Sequence, residues 1–228
     1  MTTKSTGQHG ARTAAKDFTL FTTADPSPAR RRSVIPARSA CKNIGVFCGS
    51  RSGRHEEYGE AAARLGQELA ARGAGLIYGA GGVGIMGAVS STAMAHGAAV
   101  TGVIPHALHE RERLDDACGE IFVVAGMHER KALMYRLSDA FVVLPGGYGT
   151  LDELMEAATW NQLGYHDKPI ALVNIRGFFD PVVAMLDRML DEGFFSARDR
   201  ALIRVAPGPC EALDAIEIQR PLKVPTEV

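Results

Sequence analysis

The chain has 228 residues, 46% of them hydrophobic and 22% charged, enough apolar material for one globular domain with a sizeable core. Its formal net charge of −1 removes any general electrostatic attraction to nucleic acid or to an anionic membrane, so recognition of an anion must be local. No apolar run approaches the roughly 20 residues of a membrane helix, and the N-terminus lacks the compact apolar core of a secretory signal.

Residues 1–40 are rich in Ser, Thr, Ala and Arg and carry the basic cluster Arg30-Arg31-Arg32. They hold seven Lys/Arg against two Asp, a charge of +5, which leaves −6 for residues 41–228. With no regular hydrophobic periodicity, this composition predicts a disordered extension, although an Arg-rich, acid-poor leader also suits an organelle transit peptide. Cys41, Cys48, Cys118 and Cys210 are scattered, with no C-x-x-C spacing and no His cluster beside them. That pattern predicts reduced thiols rather than disulfides or metal ligands, and a cytoplasmic protein.

Ile44-Gly45-Val46-Phe47-Cys48 reads as a first strand turning at Gly49-Ser50. Tyr58, Ala62, Leu65 and Leu69 then recur at helical spacing, with Gly73 placed as a left-handed cap. Leu76-Ile77-Tyr78 is a second strand, and Gly79 to Gly87 a glycine-rich loop entering a helix that ends near His96-Gly97. Ala99–Ile104 makes a third strand, stopped by Pro105, and residues 106–119 a solvated loop or lid. Ile121–Val124 is a fourth strand, and Met127–Leu137 a helix with Met127, Met134 and Leu137 on one face.

Phe141–Leu144 is an apolar run too short for a helix; it enters Pro145-Gly146-Gly147-Tyr148-Gly149 and then a helix from Thr150 to about Gly164, with Leu151, Leu154, Ala158 and Leu163 as core contacts. Ile170–Asn174 is another strand, Asp180-Pro181 opens a helix closed by Gly193, and Leu202–Val205 and a helix from Pro209 to Ile218 complete a domain spanning 41–220, with 221–228 as a tail. Short apolar strands alternating with amphipathic helices predict an α/β fold, a doubly wound parallel sheet covered on both faces, whose ligands bind beyond the carboxyl ends of the strands.

Three stretches are candidates for chemistry. The loop Gly146, Gly147, Tyr148, Gly149, Thr150 has the makings of a phosphate cradle, because glycines admit an anion to the backbone and the first helical turn offers unpaired N–H groups. Glu153 stands one turn further in. Thr150 and Glu153 also spell the capping box T-x-x-E, a purely structural alternative. Arg130 and Lys131 put two cations early in a helix, where the macrodipole disfavours them; either an anion compensates or they pair with Glu129 or Asp139. Gly79, Gly81 and Gly84 fit G-x-G-x-x-G, but the match follows the second strand and no acidic residue closes the next one, so a second anion or ribose contact fits better than a dinucleotide.

Taken together, P-G-G-Y-G-T-L-D-E at 145–153, M-H-E-R-K at 127–131, T-W-N-Q-L-G-Y-H-D-K-P at 159–169 and G-A-G-G-V-G-I-M-G at 79–87 resemble the LOG family of cytokinin riboside 5′-monophosphate phosphoribohydrolases, over roughly residues 43–218. Older labels call such proteins lysine decarboxylases, yet no residue pattern here marks a pyridoxal phosphate site. The resemblance implies a Rossmann-like homodimer that hydrolyses the N-glycosidic bond of a nucleoside 5′-monophosphate, a cytokinin riboside monophosphate or AMP, to free base and ribose 5-phosphate, with no cofactor and no metal. It implies that Arg130 and Glu153 are catalytic, that Gly146, Gly147, Tyr148, Gly149 and Thr150 bind the phosphate, and that Lys131, Thr159, Ser50, Gly82 and Glu112 make further substrate contacts. Asp152 stands where many members have Glu. The competing class is a non-catalytic nucleotide or cofactor carrier of the same fold.

Overall fold

The computed structural model describes residues 43–109 and 117–218. The expectations for residues 1–40, for Glu112, for the middle half of the proposed lid (110–116) and for the tail at 221–228 lie outside the described residues. Among the described residues, the strands are β1 (Asn43–Phe47), β2 (Gly75–Tyr78), β3 (Val100–Pro105), β4 (Glu120–Val124), β5 (Ala140–Val143), β6 (Ile170–Val173) and β7 (Ile203–Ala206). The helices are α1 (Glu56–Ala71), α2 (Gly84–Ala95), α3 (His106–His109), α4 (Met127–Leu137), α5 (Tyr148–Gln162), α6 (Asp180–Asp191), α7 (Ala197–Arg200) and α8 (Pro209–Ile218).

The strands form one parallel seven-stranded sheet in the order β4-β3-β2-β1-β5-β6-β7. Successive residues of each strand serve opposite faces, as the two-residue period of a strand requires. Ile44 and Val46 of β1 and Ala140 and Val142 of β5 join Leu65 and Leu69 of α1, Val89 of α2 and Leu213 of α8. Phe47, Phe141 and Val143 point the other way, to Met134 and Tyr135 of α4, Leu154 and Ala157 of α5 and Leu186 of α6. Burial on both faces is why β1, β2, β5 and β6 read as unbroken apolar runs.

Strand order reverses direction between β1 and β5, and that topological switch opens a crevice at the carboxyl ends of the two strands. Stacking of Phe47 on Phe141, with ring centroids 5.2 Å apart, and of Tyr135 edge-on to both, seats α4 against this central pair. Trp160 of α5 closes on Tyr135 at 4.9 Å, so α4 and α5 share one aromatic anchor.

Some boundaries differ from the sequence reading. Pro105 is the last residue of β3, paired with Val124, rather than the stop before it. Helix α5 begins at Tyr148, with Gly147 as its N-cap, two residues before Thr150. It ends at Gln162, and Gly164 turns the chain away at φ 79°, which leaves Leu163 exposed instead of in the core. Asp180 is the first residue of α6 and Phe179 its N-cap. Edge strand β4 keeps Phe122 and Val123 partly open to solvent.

Candidate active site

A cleft of about 520 Å3 occupies the switch point. Its floor is the end of β1, where Cys48, Gly49 and Ser50 meet Pro145, Gly146 and Gly147 after β5. The two loops are tied directly: Gly49 N–H donates to the Pro145 carbonyl at 3.0 Å, and Met86 N–H at the start of α2 donates to the Gly49 carbonyl at 3.2 Å. Gly146 is the hinge of this arrangement, since a Cβ there would run into Thr150 Oγ1 and lie 2.7 Å from the Gly49 nitrogen. Gly147 and Gly149, by contrast, face open space.

The N-terminus of α5 therefore stands bare at the cleft. Gly147 provides no side-chain cap, and the first intrahelical bond recorded there is Leu151 N–H to the Gly147 carbonyl at 3.2 Å. The N–H groups before Leu151 and the positive end of the helix dipole are available to an anion. Tyr148 stands at the mouth, 95% exposed, while Thr150 is buried.

Glu153, one turn in, lines the cleft and is only 8% exposed. It does not form the capping box that T-x-x-E suggested, because Thr150 lies inside the helix; a capping box is instead made by Ser196 and Asp199 at the start of α7. Among the described residues, the Glu153 carboxylate accepts no hydrogen bond. Burial pushes its pKa up to about 7, Arg130 pulls it back and Asp152 adds to the rise. Cys48 beneath it is held as a neutral thiol, its pKa raised by burial and then by the Glu153 charge.

Arg130 enters from α4 on the opposite rim. Its Nε donates to the Val103 carbonyl at 3.1 Å and its Nη2 to the Gly79 carbonyl at 3.0 Å. Neither pairing considered from sequence describes it: Glu129 instead accepts from Ala125 N–H at 2.9 Å, and Asp139 accepts from Asn43 N–H at 3.1 Å. Lys131 has a different fate. Its Nζ lies 3.0 Å from both Asp152 Oδ2 and Glu156 Oε2; burial works against its charge, but these two carboxylates outweigh that and raise its pKa. The Tyr135 hydroxyl reaches Glu156 Oε2 at 2.8 Å and the Glu153 carbonyl at 3.1 Å, so the network braces the backbone of Glu153.

Of the residues singled out from sequence, the cleft gathers Arg130, Glu153, Ser50, Gly146, Gly147, Tyr148, Gly149 and Thr150. Lys131, Thr159 and Gly82 do not line it. Thr159 is exposed, and its hydroxyl donates back to the Met155 carbonyl at 2.7 Å. Gly82 packs its carbonyl against Gly87. Sequence reasoning missed Tyr58, Ile85, Met86 and Phe178, which add apolar lining; their position in the first turns of α1 and α2 and just before α6, in the connections that follow β1, β2 and β6, was the available signal. Among the described residues, no group of three or more His, Cys, Asp or Glu side chains is placed to hold a metal ion. None of the described helices is long and apolar enough to cross a membrane.

Comparison with known proteins fits this geometry. A family model described as "Possible lysine decarboxylase" matches residues 86–216. The rice protein named cytokinin riboside 5′-monophosphate phosphoribohydrolase LOG is 48% identical over 180 residues, 79% of this chain and 74% of that one. LOG5 of Arabidopsis thaliana, which carries the same activity in its name, is 44% identical over 185 residues, 81% of each chain. Among solved structures, the molybdenum cofactor carrier protein of Chlamydomonas reinhardtii superposes with a TM-score of 0.60 at 23% identity, covering 78% of this chain and 97% of its own, a likeness of fold alone. With a family model spanning more than half of it and relatives of this identity along about four fifths of it, the chain belongs to the LOG family.

Proposed function

We propose that the protein hydrolyses the N-glycosidic bond of cytokinin riboside 5′-monophosphates, and of AMP, to the free base and D-ribose 5-phosphate. The activity named for its relatives supports the reaction class, and one observation in the cleft carries the mechanism: a buried carboxylate, Glu153, with no hydrogen-bond partner among the described residues, one turn from an uncapped helix N-terminus. In this reading the 5′-phosphate docks on the N–H groups of residues 147–150 and is the handle that places the sugar. Departure of the base leaves positive charge at the anomeric carbon while the base gains electrons, so a carboxylate suits the first change and a cation the second. Glu153 stabilises the sugar cation and orients or deprotonates the attacking water, and Arg130 positions the substrate and assists the leaving base. One acid–base group contributes about 10²–10⁴-fold, so most of the acceleration comes from anchoring and fixed charge.

The same reading takes the protein as a cytoplasmic homodimer, supported by family membership and by a cysteine spacing in the sequence that suits reduced thiols. The carrier alternative is the weaker one, because the likeness to the molybdenum cofactor carrier stands at 23% identity.

The decisive measurement is release of ribose 5-phosphate from AMP and from isopentenyladenosine monophosphate by the purified protein and by its Glu153→Gln and Arg130→Ala variants. Turnover is expected from the parent and to collapse in both variants, with adenosine a poor substrate in kcat as well as KM. Binding without release of sugar phosphate would leave the carrier reading; equal turnover of adenosine and AMP would remove the role of the handle.

A further inference from the structure

Arg130 is a cation anchored by carbonyls, with the Glu153 carboxylate acting on it only across the cleft. Among the described residues it makes no ion pair; two of its N–H groups are taken by the carbonyls of Gly79, just after β2, and of Val103, within the neighbouring strand β3. Carbonyl dipoles orient a guanidinium but do not neutralise it. Lys131, the next residue, shows the alternative: two carboxylates cancel its charge. The fork is thus fixed at two points and still carries its full charge into the cleft.

The seat for that fork exists because residue 79 has no side chain. A Cβ there would collide with Arg130 Nη2 and come within 3.1 Å of Cζ, on backbone geometry that is not left-handed, so the glycine is required by the space and not by its φ. The peptide that presents the Gly79 carbonyl is shared with Ala80, a buried non-glycine residue at φ 62°. Ala80 in turn fits because Gly102 of β3 leaves room for it: a Cβ on Gly102 would lie 2.8 Å from the Cβ of Ala80. Strained backbone of this kind persists where the surroundings over-determine it.

We infer that Gly79 is a positioning residue for the glycosidic cleavage, a side-chain-free seat whose carbonyl aims the Arg130 guanidinium across the cleft at the leaving base. The first glycine of G-x-G-x-x-G thus contacts this chain's own arginine instead of a ligand phosphate. This rests on the reading of Arg130 given above.

The test is a kinetic cycle on the full chain with Gly79→Ala, Arg130→Ala and the double variant, using AMP as substrate and ribose 5-phosphate as a ligand of the phosphate loop. Since the φ at residue 79 suits alanine, Gly79→Ala is expected to fold. Its kcat should fall about 100-fold, the loss typical of an ångström-scale misplacement, with ribose 5-phosphate affinity unchanged. The double variant should be no slower than Arg130→Ala alone, because both changes remove one contribution. Arg130→Lys, which keeps the charge but cannot span both carbonyls, should lose about as much as Gly79→Ala. Losses that multiply in the double variant, or parental rates in Gly79→Ala or Arg130→Lys, overturn the proposal. Reduced turnover in Arg130→Ala with none in Gly79→Ala would sink the seat and leave the role of Arg130 standing. Undiminished turnover in Arg130→Ala would remove both.

Discussion

Glu153 follows Thr150 by three residues and does not cap it, because helix α5 has already begun at Tyr148. Its carboxylate is left buried in the cleft, where its ionisation works against folding. The pKa rises from 4.5 in the unfolded reference to about 7 in the folded chain, so the native state holds the extra proton between those values. Stability then falls as pH rises through that window, the reverse of a salt-bridged carboxylate. Glu153→Gln is expected to melt higher than the parent at pH 8, by up to about 3 kcal/mol, and to match it near pH 4.5. Thermal melts of the two proteins at both pH values decide it; an equal or lower melting temperature at pH 8 contradicts the burial argument.

In the proposed reaction the same ionisation governs the rate. If Glu153 acts as carboxylate, kcat should climb as pH rises through about 7. A bound phosphate adds negative charge, so the limb in kcat should stand at or above the value for the free protein. The substrate's own phosphate titrates near pH 6, about a unit lower, and saturating substrate separates the two. A kcat flat from pH 5.5 to about 8.5 would rule out ionised Glu153 as the working form.

Lys131 tunes that limb from outside the cleft. It pulls down the pKa of Glu153, while Asp152 and Glu156, which it now neutralises, push it up. Lys131→Met should shift the acid limb of kcat to higher pH with only a small change in KM. A variant that instead raises KM at every pH with an unmoved limb would make Lys131 a substrate contact.

Gly146 holds the loop after β5 against the β1 turn. Gly146→Ala forces Thr150 Oγ1 and the Gly49 backbone apart, an overpacking that typically costs about 1–3 kcal/mol. Binding of ribose 5-phosphate, followed by calorimetry, should weaken at least about tenfold, the equivalent of about 1.4 kcal/mol. Gly149→Ala faces open space and should be milder in stability.

Most of this fold is written in local pattern. β1, β2, β5 and β6 are buried on both faces, and such strands announce themselves as apolar runs between glycines. Helix α7 escaped notice because four residues, Ala197–Arg200, carry no period to detect. The start of α5 was misplaced because Gly149 in its first turn disguises a helix that its tertiary setting supports. In the site, Arg130 and Glu153 were legible as residues out of place: a cation at a helix start and a carboxylate beside an anion cradle. What holds Arg130 was not, because carbonyls of Val103 and Gly79 belong to every sequence and acquire meaning only when strands lie side by side. The separate fates of Arg130 and Lys131 were equally hidden, since adjacent helix residues diverge by about 100° in direction.

The cleft is also a clock for the chain's own assembly. Asn43 N–H reaches the Asp139 carboxylate from 96 residues away, and the pairing of β1 with β5 closes a loop containing three of the seven strands. Such distant pairing is slow to form, because chain entropy is lost before contacts repay it. The cleft exists only where β1 and β5 are paired, so any ligand that binds it stabilises that pairing by mass action. A ligand of this cleft thus finds its site only on a chain whose distant strands have already met.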